Sequence, residues 1–250
     1  NNYLRKMLKN KSIIVTGVGK GLGMDMLKQI VDYGGFVYGI TRSKNDVKKF
    51  RKIKNCKVFV GNVNNAKLFN KILSHSIKEK KIISGLVNNA GERQRLKFED
   101  ISQNKLKKLF ETNFFSIFQN MQIFSKYLIK NKTKGSIVNI GSIVGNNGFP
   151  ELSGYASTKT ALLGLTKSFS AEMAKYNIRA NIINPGFIKT SYFKNFKKKN
   201  KLYRWTISRI PQKRWGDPNE VSHLTCFLLS DLSSYINGST INVDGGWTGS

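Results

Sequence analysis

Short apolar runs rich in β-branched residues alternate along the chain with longer amphipathic stretches. In those stretches apolar residues recur at helical spacing, as at Leu22, Met26 and Ile30. Strands that alternate with helices indicate right-handed βαβ crossovers, which produce a parallel sheet with helices on both faces. The sequence therefore predicts one doubly wound α/β domain over residues 1–250. Its seven predicted strands are Ser12–Thr16, Phe36–Thr41, Lys57–Val60, Ser84–Val87, Ser136–Ile140, Ala180–Ile183 and Thr240–Val243.

The composition is typical of a folded chain. Hydrophobic residues make up 40% of the 250 residues, which is enough for a sizeable core and excludes wholesale disorder. No apolar run is long enough to span a membrane, so no membrane span is predicted. The first ten residues also lack the apolar stretch of a secretory signal.

The cysteines and histidines show no metal-binding or disulfide pattern. Cys56 and Cys226 are too few for a disulfide framework and match no zinc spacing. They are predicted to be small buried hydrophobes in a reducing compartment, which favours a cytoplasmic location. His75 and His223 lie in predicted helices without a partner motif and are interpreted as structural, so no metal site is predicted.

The chain is strongly basic, with 43 basic and 14 acidic residues and a formal net charge of +29. Lysine accounts for 34 of the basic residues, and the lysines are spread over every segment. A nucleic-acid-binding patch is local and includes arginine, whose guanidinium binds phosphate through two hydrogen bonds. The distribution therefore favours solvated lysines over nucleic-acid binding. A non-catalytic nucleotide- or nucleic-acid-binding protein remains the alternative from another functional class.

A glycine-rich loop, Thr16–Gly23, follows the first predicted strand and opens a predicted helix. Glycines let the backbone turn tightly and approach a pyrophosphate, and the start of a helix attracts negative charge. Because the strand precedes the loop and the helix follows it, the loop is predicted to bind a dinucleotide.

The end of the second predicted strand bears on which dinucleotide binds. An NAD-dependent enzyme usually places Asp or Glu there to accept a hydrogen bond from the ribose 2′-hydroxyl. Here Thr41 and Arg42 stand at that position, and Lys20 lies in the glycine loop. Two cations and no carboxylate suit a 2′-phosphate, so NADP(H) is the favoured cofactor and NAD(H) the alternative.

Further motifs follow in order along the chain: Asn88–Gly91 (Asn-Asn-Ala-Gly), Asn113, Ser142, Tyr155–Lys159 (Tyr-x-x-x-Lys), Asn184–Gly186 (Asn-Pro-Gly) and Val243–Gly246. Together with the glycine loop, they resemble the short-chain dehydrogenase/reductase family along essentially the whole chain. The resemblance implies a Rossmann-type domain that transfers a hydride reversibly between a nicotinamide cofactor and a carbonyl/alcohol pair.

The candidate catalytic residues are Asn113, Ser142, Tyr155 and Lys159. Tyr155 and Lys159 are four residues apart and so share one face of a helix. A neighbouring ammonium group lowers the pKa of a phenol, which otherwise is about 10. The resemblance implies that Tyr155 exchanges the proton, Ser142 binds the substrate oxygen, and Asn113 holds a water that links Lys159 to solvent.

The loop and the resemblance together imply the cofactor contacts. Lys159 is implied to bind the nicotinamide ribose, Asn62 and Val63 to lie beside the adenine, and Ile188 and Thr190 to hold the carboxamide. The full predicted set is Gly17, Val18, Gly19, Lys20, Gly21, Leu22, Gly23, Thr41, Arg42, Asn62, Val63, Asn89, Ala90, Gly91, Tyr155, Lys159, Pro185, Gly186, Ile188 and Thr190.

Residues 187–210 are implied by the resemblance to form a lid over the substrate. Seven of the sixteen residues at 189–204 are basic, whereas 43 in 250 predicts fewer than three. We therefore expect an anionic substrate, either a phosphorylated or nucleotide-linked sugar or an acyl group on an acidic carrier protein. A solvated charge run is the alternative interpretation. Arg93, Gln94 and Arg95 are expected at the rim of the site.

Within the family, Asn139–Gly145 and Asn184–Ile188 look most similar to the 3-oxoacyl-carrier-protein reductases. Ala171 stands where those reductases usually carry an arginine that docks the carrier. A dehydrogenase or reductase of a sugar, sugar phosphate or nucleotide sugar is therefore a nearly equal alternative.

Two long predicted helices, around Asn104–Ile129 and Ser153–Tyr176, match those that pair between subunits in the family. They imply a homotetramer, with a dimer as the alternative. The apolar residues that either line this interface or belong to the core are Phe114, Phe115, Phe118 and Phe124.

Overall fold

The computed structural model describes residues 6–191 and 193–249. The expectation that no secretory signal is present concerns residues 1–10, of which 1–5 lie outside the described residues. Tyr192, within the predicted lid, lies outside them as well.

Seven parallel strands form one sheet in the order β3-β2-β1-β4-β5-β6-β7. They are β1 (Ser12–Thr16), β2 (Phe36–Thr41), β3 (Cys56–Val60), β4 (Ile83–Asn88), β5 (Gly135–Ile140), β6 (Ile178–Pro185) and β7 (Thr240–Val243). β1, β2 and β7 have the predicted bounds, and the other four extend beyond them at one or both ends. The strand order reverses at β1, where β2 lies on one side and β4 on the other. In such sheets ligands bind outside the carboxyl ends of the strands at this reversal.

Helices cover both faces of the sheet. They are α1 (Gly21–Asp32), α2 (Lys44–Phe50), α3 (Ala66–Lys78), α4 (Gln103–Phe110), α5 (Ser116–Lys130), α6 (Ser153–Met173), α7 (Phe193–Lys197), α8 (Asn200–Arg209) and α9 (Pro218–Leu229). One core contains Phe69, Phe124 and Leu162, from α3, α5 and α6. The other contains Ile30 and Val221, from α1 and α9. The predicted doubly wound architecture is confirmed. In residues 6–191 and 193–249, no helix combines the length and apolar character needed to cross a membrane.

The long helix predicted around Asn104–Ile129 is divided in the structure. A single π-helical turn, Glu111–Phe115, lies between α4 and α5. Such a turn accommodates one residue more than an α-helical turn, which rotates the side chains on either side relative to each other. Of the four phenylalanines assigned to an interface or the core, Phe124 is fully buried and Phe114 is half-buried, whereas Phe115 and Phe118 are 51% and 47% exposed. The last two therefore present apolar surface to solvent.

The predicted lid is held by an aromatic cluster at the carboxyl edge of the sheet. Phe196 and Ile210 are buried against Trp215 and Trp247. The ring centres of Phe196 and Trp215 are 4.9 Å apart, and the indole N–H of Trp215 donates to the Thr206 hydroxyl at 2.8 Å. The apolar residues of the segment therefore anchor it to the body of the protein.

Candidate active site

Two contiguous cavities lie at the carboxyl ends of the central strands. The first, of about 640 Å³, is lined by the glycine loop, the end of β2 and the segment after β4. The second, of about 450 Å³, is lined by Ser142, Tyr155 and Lys159. A single extended ligand can occupy both, because eight residues line the two together: Lys20, Leu22, Asn89, Gly91, Glu92, Tyr155, Thr190 and Ser191.

Most of the predicted cofactor residues line these cavities. The first is lined by Gly17, Gly19, Lys20, Gly21, Leu22, Thr41, Arg42, Asn62, Val63, Asn89, Ala90, Gly91, Tyr155 and Thr190. The second adds Lys159, Pro185, Gly186 and Ile188. Val18 and Gly23 lie behind them: Val18 is fully buried in the core, and Gly23 packs against the backbone of the loop. These two residues support the loop on the side that faces away from the cavities.

The backbone of the loop favours glycine at three positions. Gly17 and Gly21 have φ angles of +75° and +57°, a left-handed conformation that favours glycine. A Cβ at Gly23 would collide with the carbonyl oxygen of Gly17. The loop leads into α1, whose first-turn N–H groups have no acceptor within the helix. A pyrophosphate fits this arrangement, since it is an anion that accepts hydrogen bonds from such groups.

The segment after β4 is fixed to the start of the loop. The Thr16 hydroxyl oxygen accepts hydrogen bonds from the backbone N–H groups of Asn89 and Ala90, each at 3.0 Å. The Asn89 side chain donates to the carbonyl oxygen of Thr16 at 2.9 Å. These bonds hold the two walls of the first cavity at a fixed spacing.

Two carboxylates, which reasoning from the strand end alone missed, also line the first cavity. Glu92 forms an ion pair with Arg42 at 2.5 Å. Asp46 accepts hydrogen bonds from the hydroxyl of Thr41 at 2.8 Å and from Lys49 at 2.6 Å. The hydrogen bond from Lys49 holds the pKa of Asp46 below its usual range. The end of β2 therefore carries no carboxylate, as the sequence indicates, but the wall of the first cavity carries two.

Asn113 lies in the π-helical turn and is fully buried. Its side-chain oxygen accepts from the backbone N–H of Glu92 at 2.8 Å, and its side-chain nitrogen donates to the Glu92 carbonyl at 2.8 Å. The nitrogen also donates to the hydroxyl of Thr158 at 3.2 Å. Asn113 thus joins the segment after β4 to α6, directly behind the cavity wall formed by Gly91.

Ser142 and Tyr155 both line the second cavity. The Asn184 side-chain oxygen accepts from the backbone N–H of Ser142 at 3.1 Å, which fixes the turn after β5. Burial raises the pKa of Tyr155, while a hydrogen bond with Ser142 and the positive charge of Arg93 partly oppose that rise. The phenol of Tyr155 is therefore fully protonated at neutral pH in this structure.

Lys159 is almost completely buried, with 4% of its surface exposed. Its ammonium group donates to the Ile140 carbonyl oxygen at 2.7 Å and lies 5.8 Å from the centre of the Tyr155 ring. Burial lowers the pKa of Lys159 to about 8. Ser142 and Arg93 oppose the rise in the pKa of Tyr155 in this structure.

The second cavity has an aromatic wall formed by Phe149, Phe187 and Trp215. The ring centres of Phe187 and Trp215 are 5.2 Å apart. The cations among its lining residues are Lys20, Arg93 and Lys159. The lid cations Lys194, Lys197, Lys198, Lys199, Lys201 and Arg204 are exposed, and within the described chain none of them is among the residues that line this cavity. The basic run therefore forms an outer surface.

The chain matches a family model described as Enoyl-(Acyl carrier protein) reductase over residues 17–248. It is 31% identical over 242 residues to the 3-oxoacyl-(acyl-carrier-protein) reductase FabG of Buchnera aphidicola, covering 96% of this chain and 98% of that protein. It is also 31% identical over 247 residues to the 2-dehydro-3-deoxy-D-gluconate 5-dehydrogenase of Bacillus subtilis, covering 96% and 95%.

A solved structure shares both the fold and the extent of the chain. The gluconate 5-dehydrogenase of Burkholderia cenocepacia, in complex with NADP and tartrate, superposes with a TM-score of 0.91. The two proteins are 27% identical, and the match covers 100% of each chain.

Proposed function

We propose a substrate and a cofactor for this chain, which belongs to the short-chain dehydrogenase/reductase family of oxidoreductases acting on CH–OH groups. In this proposal it reduces a 3-oxoacyl group on an acidic carrier with NADPH. The observation that carries the proposal is the continuous groove from the glycine loop to Ser142, Tyr155 and Lys159. When bound, a nicotinamide dinucleotide supplies the hydride. Every other requirement falls to the backbone and side chains of the protein.

In this proposal the protein orients the substrate and supplies the proton. Ser142 donates a hydrogen bond to the carbonyl oxygen and polarises it. Tyr155, protonated at neutral pH because burial raises its pKa, gives its proton to the same oxygen as negative charge develops there. In this proposal Lys159 replaces that proton, which its pKa of about 8 allows near neutrality. Asn113 holds the segment after β4 against α6 and so keeps the cavity wall in place.

The preference for NADP(H) rests on Arg42 and Lys20 at the adenosine end of the groove. Replacing Arg42 with Ala is expected to weaken NADPH binding by about 10- to 100-fold, because a charge-assisted hydrogen bond to the 2′-phosphate is lost. NADH binding should stay unchanged. Parallel fluorescence titrations of both cofactors measure this, and Arg51→Ala, at an exposed arginine outside the groove, is the control. A wild-type preference for NADH would contradict the proposal.

The choice of a carrier-bound substrate rests on two surfaces. The exposed lysines of α7 and α8 suit the acidic surface of a carrier protein, while the aromatic wall inside the cavity suits an acyl chain. The second candidate is a dehydrogenase of a sugar acid. It is favoured by Arg93 in the lining of the cavity, since a guanidinium can bind a carboxylate through two hydrogen bonds.

A pair of variants separates the two substrate classes. Replacing Lys197, Lys198 and Lys199 with Ser is expected to raise KM for a carrier-bound 3-oxoacyl substrate by about tenfold at low salt and less at high salt. KM for the same acyl group as an uncharged thioester should not change, which provides the internal control. Turnover of a sugar acid that is lost in Arg93→Ala and unaffected in the triple variant would establish the second candidate instead.

The assembly and the compartment are also part of the proposal. Phe115 and Phe118 provide exposed apolar surface beside α4 and α5, which supports a homotetramer built on these helices. Cys226 is buried and Cys56 half-buried, both as free thiols, which supports a reducing, cytoplasmic location. If the protein bound nucleic acid tightly at physiological salt and turned over no carbonyl, the non-catalytic alternative would replace this proposal.

A further inference from the structure

The ion pair between Arg42 and Glu92 crosses the adenosine end of the groove. Arg42 follows β2 and Glu92 lies three residues beyond Asn89, in the segment after β4. Since β2 and β4 flank β1 on opposite sides, the strand ends are about 10 Å apart, two inter-strand spacings. The two long side chains meet across this gap at 2.5 Å. Both also line the cavity that the glycine loop lines.

The geometry points to a clasp in which Glu92 occupies the guanidinium of Arg42 until the 2′-phosphate of NADP(H) displaces it. The inference rests on the proposed function, because it assumes that Arg42 receives that phosphate. An adenosine bearing only a 2′-hydroxyl offers no anion to compete with Glu92. NAD(H) therefore leaves the clasp closed, whereas NADP(H) opens it.

The surroundings of each partner allow such an exchange. The Arg42 and Glu92 side chains are 69% and 44% exposed, so water can solvate the released carboxylate at little cost. The backbone of Glu92 is held at both its N–H and its carbonyl by Asn113. The clasp can therefore open by rotation of the Glu92 side chain while the segment that carries it stays fixed. Glu92 is thus a specificity-determining residue that weakens NADP(H) binding.

The nearby carboxylate of Asp46 cannot play the same part. Asp46 is bonded to Lys49 and Thr41, and Lys49 also donates to the carbonyl oxygen of Gly19 at 3.1 Å. Asp46 is therefore tied to the loop on its own side of the groove. Removing its charge would disturb that wall, so Glu92 is the residue to change.

Glu92→Gln removes the competing charge and keeps the shape of the side chain. We expect Kd for NADPH to fall by about two- to fivefold, the effect of an exposed ion pair, and Kd for NADH to stay constant. In the Arg42→Ala background, Glu92→Gln should have no effect on Kd for NADPH. Glu99→Gln, which removes one carboxylate outside the groove, is the matched charge control. Fluorescence titration of NADPH and NADH with the four groove proteins completes a double-mutant cycle.

The outcomes separate the clasp from the function on which it rests. Three results would overturn the clasp while leaving the enzyme's cofactor binding intact. Glu92→Gln could change Kd equally for both cofactors, it could change Kd for neither, or its effect on Kd for NADPH could persist undiminished in the Arg42→Ala background. Failure of the wild-type protein to bind either dinucleotide would instead overturn the proposed function itself.

Discussion

Replacing Tyr155 with Phe is expected to lower kcat for carbonyl reduction by about three orders of magnitude, the middle of the range for loss of a general acid. The ring that packs beside Lys159 is retained, and only the hydroxyl that contacts Ser142 is removed. Cofactor affinity should therefore change little. The measurement is single-turnover reduction with bound NADPH, compared with Tyr176→Phe, which alters a tyrosine that is 41% exposed.

The pH dependence gives a second test of the same residue. Because burial raises the pKa of Tyr155, the phenol stays protonated through neutral pH and can act as the proton donor in reduction. In the oxidative direction the phenolate must accept a proton, so the rate should rise with increasing pH across the neutral and alkaline range. Tyr155→Phe should abolish that rise. A Phe variant with wild-type kcat, or an oxidation rate that falls with increasing pH, would contradict the assigned role.

The sheet could be predicted well from the sequence because buried parallel strands are nearly continuous apolar runs. β1, with the sequence Ser-Ile-Ile-Val-Thr, is buried along its whole length, and its predicted bounds were confirmed. β6 was predicted too short, because the polar Arg179 separates Ile178 from the apolar centre and the polar Asn184 follows that centre, yet Ile178 and Asn184 are both buried. Burial of a polar residue depends on its neighbours in space, which the local pattern does not contain.

The residues of the candidate site were predictable where they belong to a motif, and missed where they act through tertiary contacts. Glu92 meets Arg42 across fifty positions of sequence, so no local pattern pairs them. Its place after Asn-Asn-Ala-Gly was the only signal available. The effect of Lys159 on the pKa of Tyr155, which helical spacing suggests, stays a prediction. In the structure Lys159 donates to the Ile140 carbonyl, and the charge of Arg93, on a different segment, also lowers the pKa of Tyr155.

The basic run of the lid illustrates a second limit of the sequence. Composition identified an excess of positive charge at 189–204, but it did not determine which side of the lid carries that charge. Phe196 and Ile210 turn inward because burying them removes apolar surface from water. The lysines between them are left outside, where their ammonium groups stay hydrated. Any role of this charge therefore concerns a partner that docks on the outside of the lid, and not the part of the substrate that enters the cavity.

Replacing Lys159 with Met is expected to abolish turnover and at the same time to stabilise the cofactor-free protein. Burial lowers the pKa of Lys159 to about 8 from an ordinary value near about 10.4, which corresponds to a cost of roughly 3 kcal/mol for keeping the buried group charged at pH 7. Met removes that cost but leaves the Ile140 carbonyl without the hydrogen bond from Lys159, at about 1 kcal/mol. The net gain at pH 7 should be about 1–2 kcal/mol in the free energy of unfolding.

The pH dependence of that gain distinguishes a charge effect from a packing effect. Between pH 8 and about 10.4 the unfolded chain holds a proton on Lys159 that the folded protein has released, so stability of the wild type rises with pH across this window. The variant lacks this contribution, and its advantage should therefore shrink as the pH increases from 7 to 10. Urea unfolding of both proteins at the two pH values measures the difference, with Lys167→Met, at an exposed position of the same helix, as the control. An advantage that is constant with pH would mean that Met simply packs better, and a loss of stability at pH 7 would mean that the buried ammonium is compensated by its surroundings.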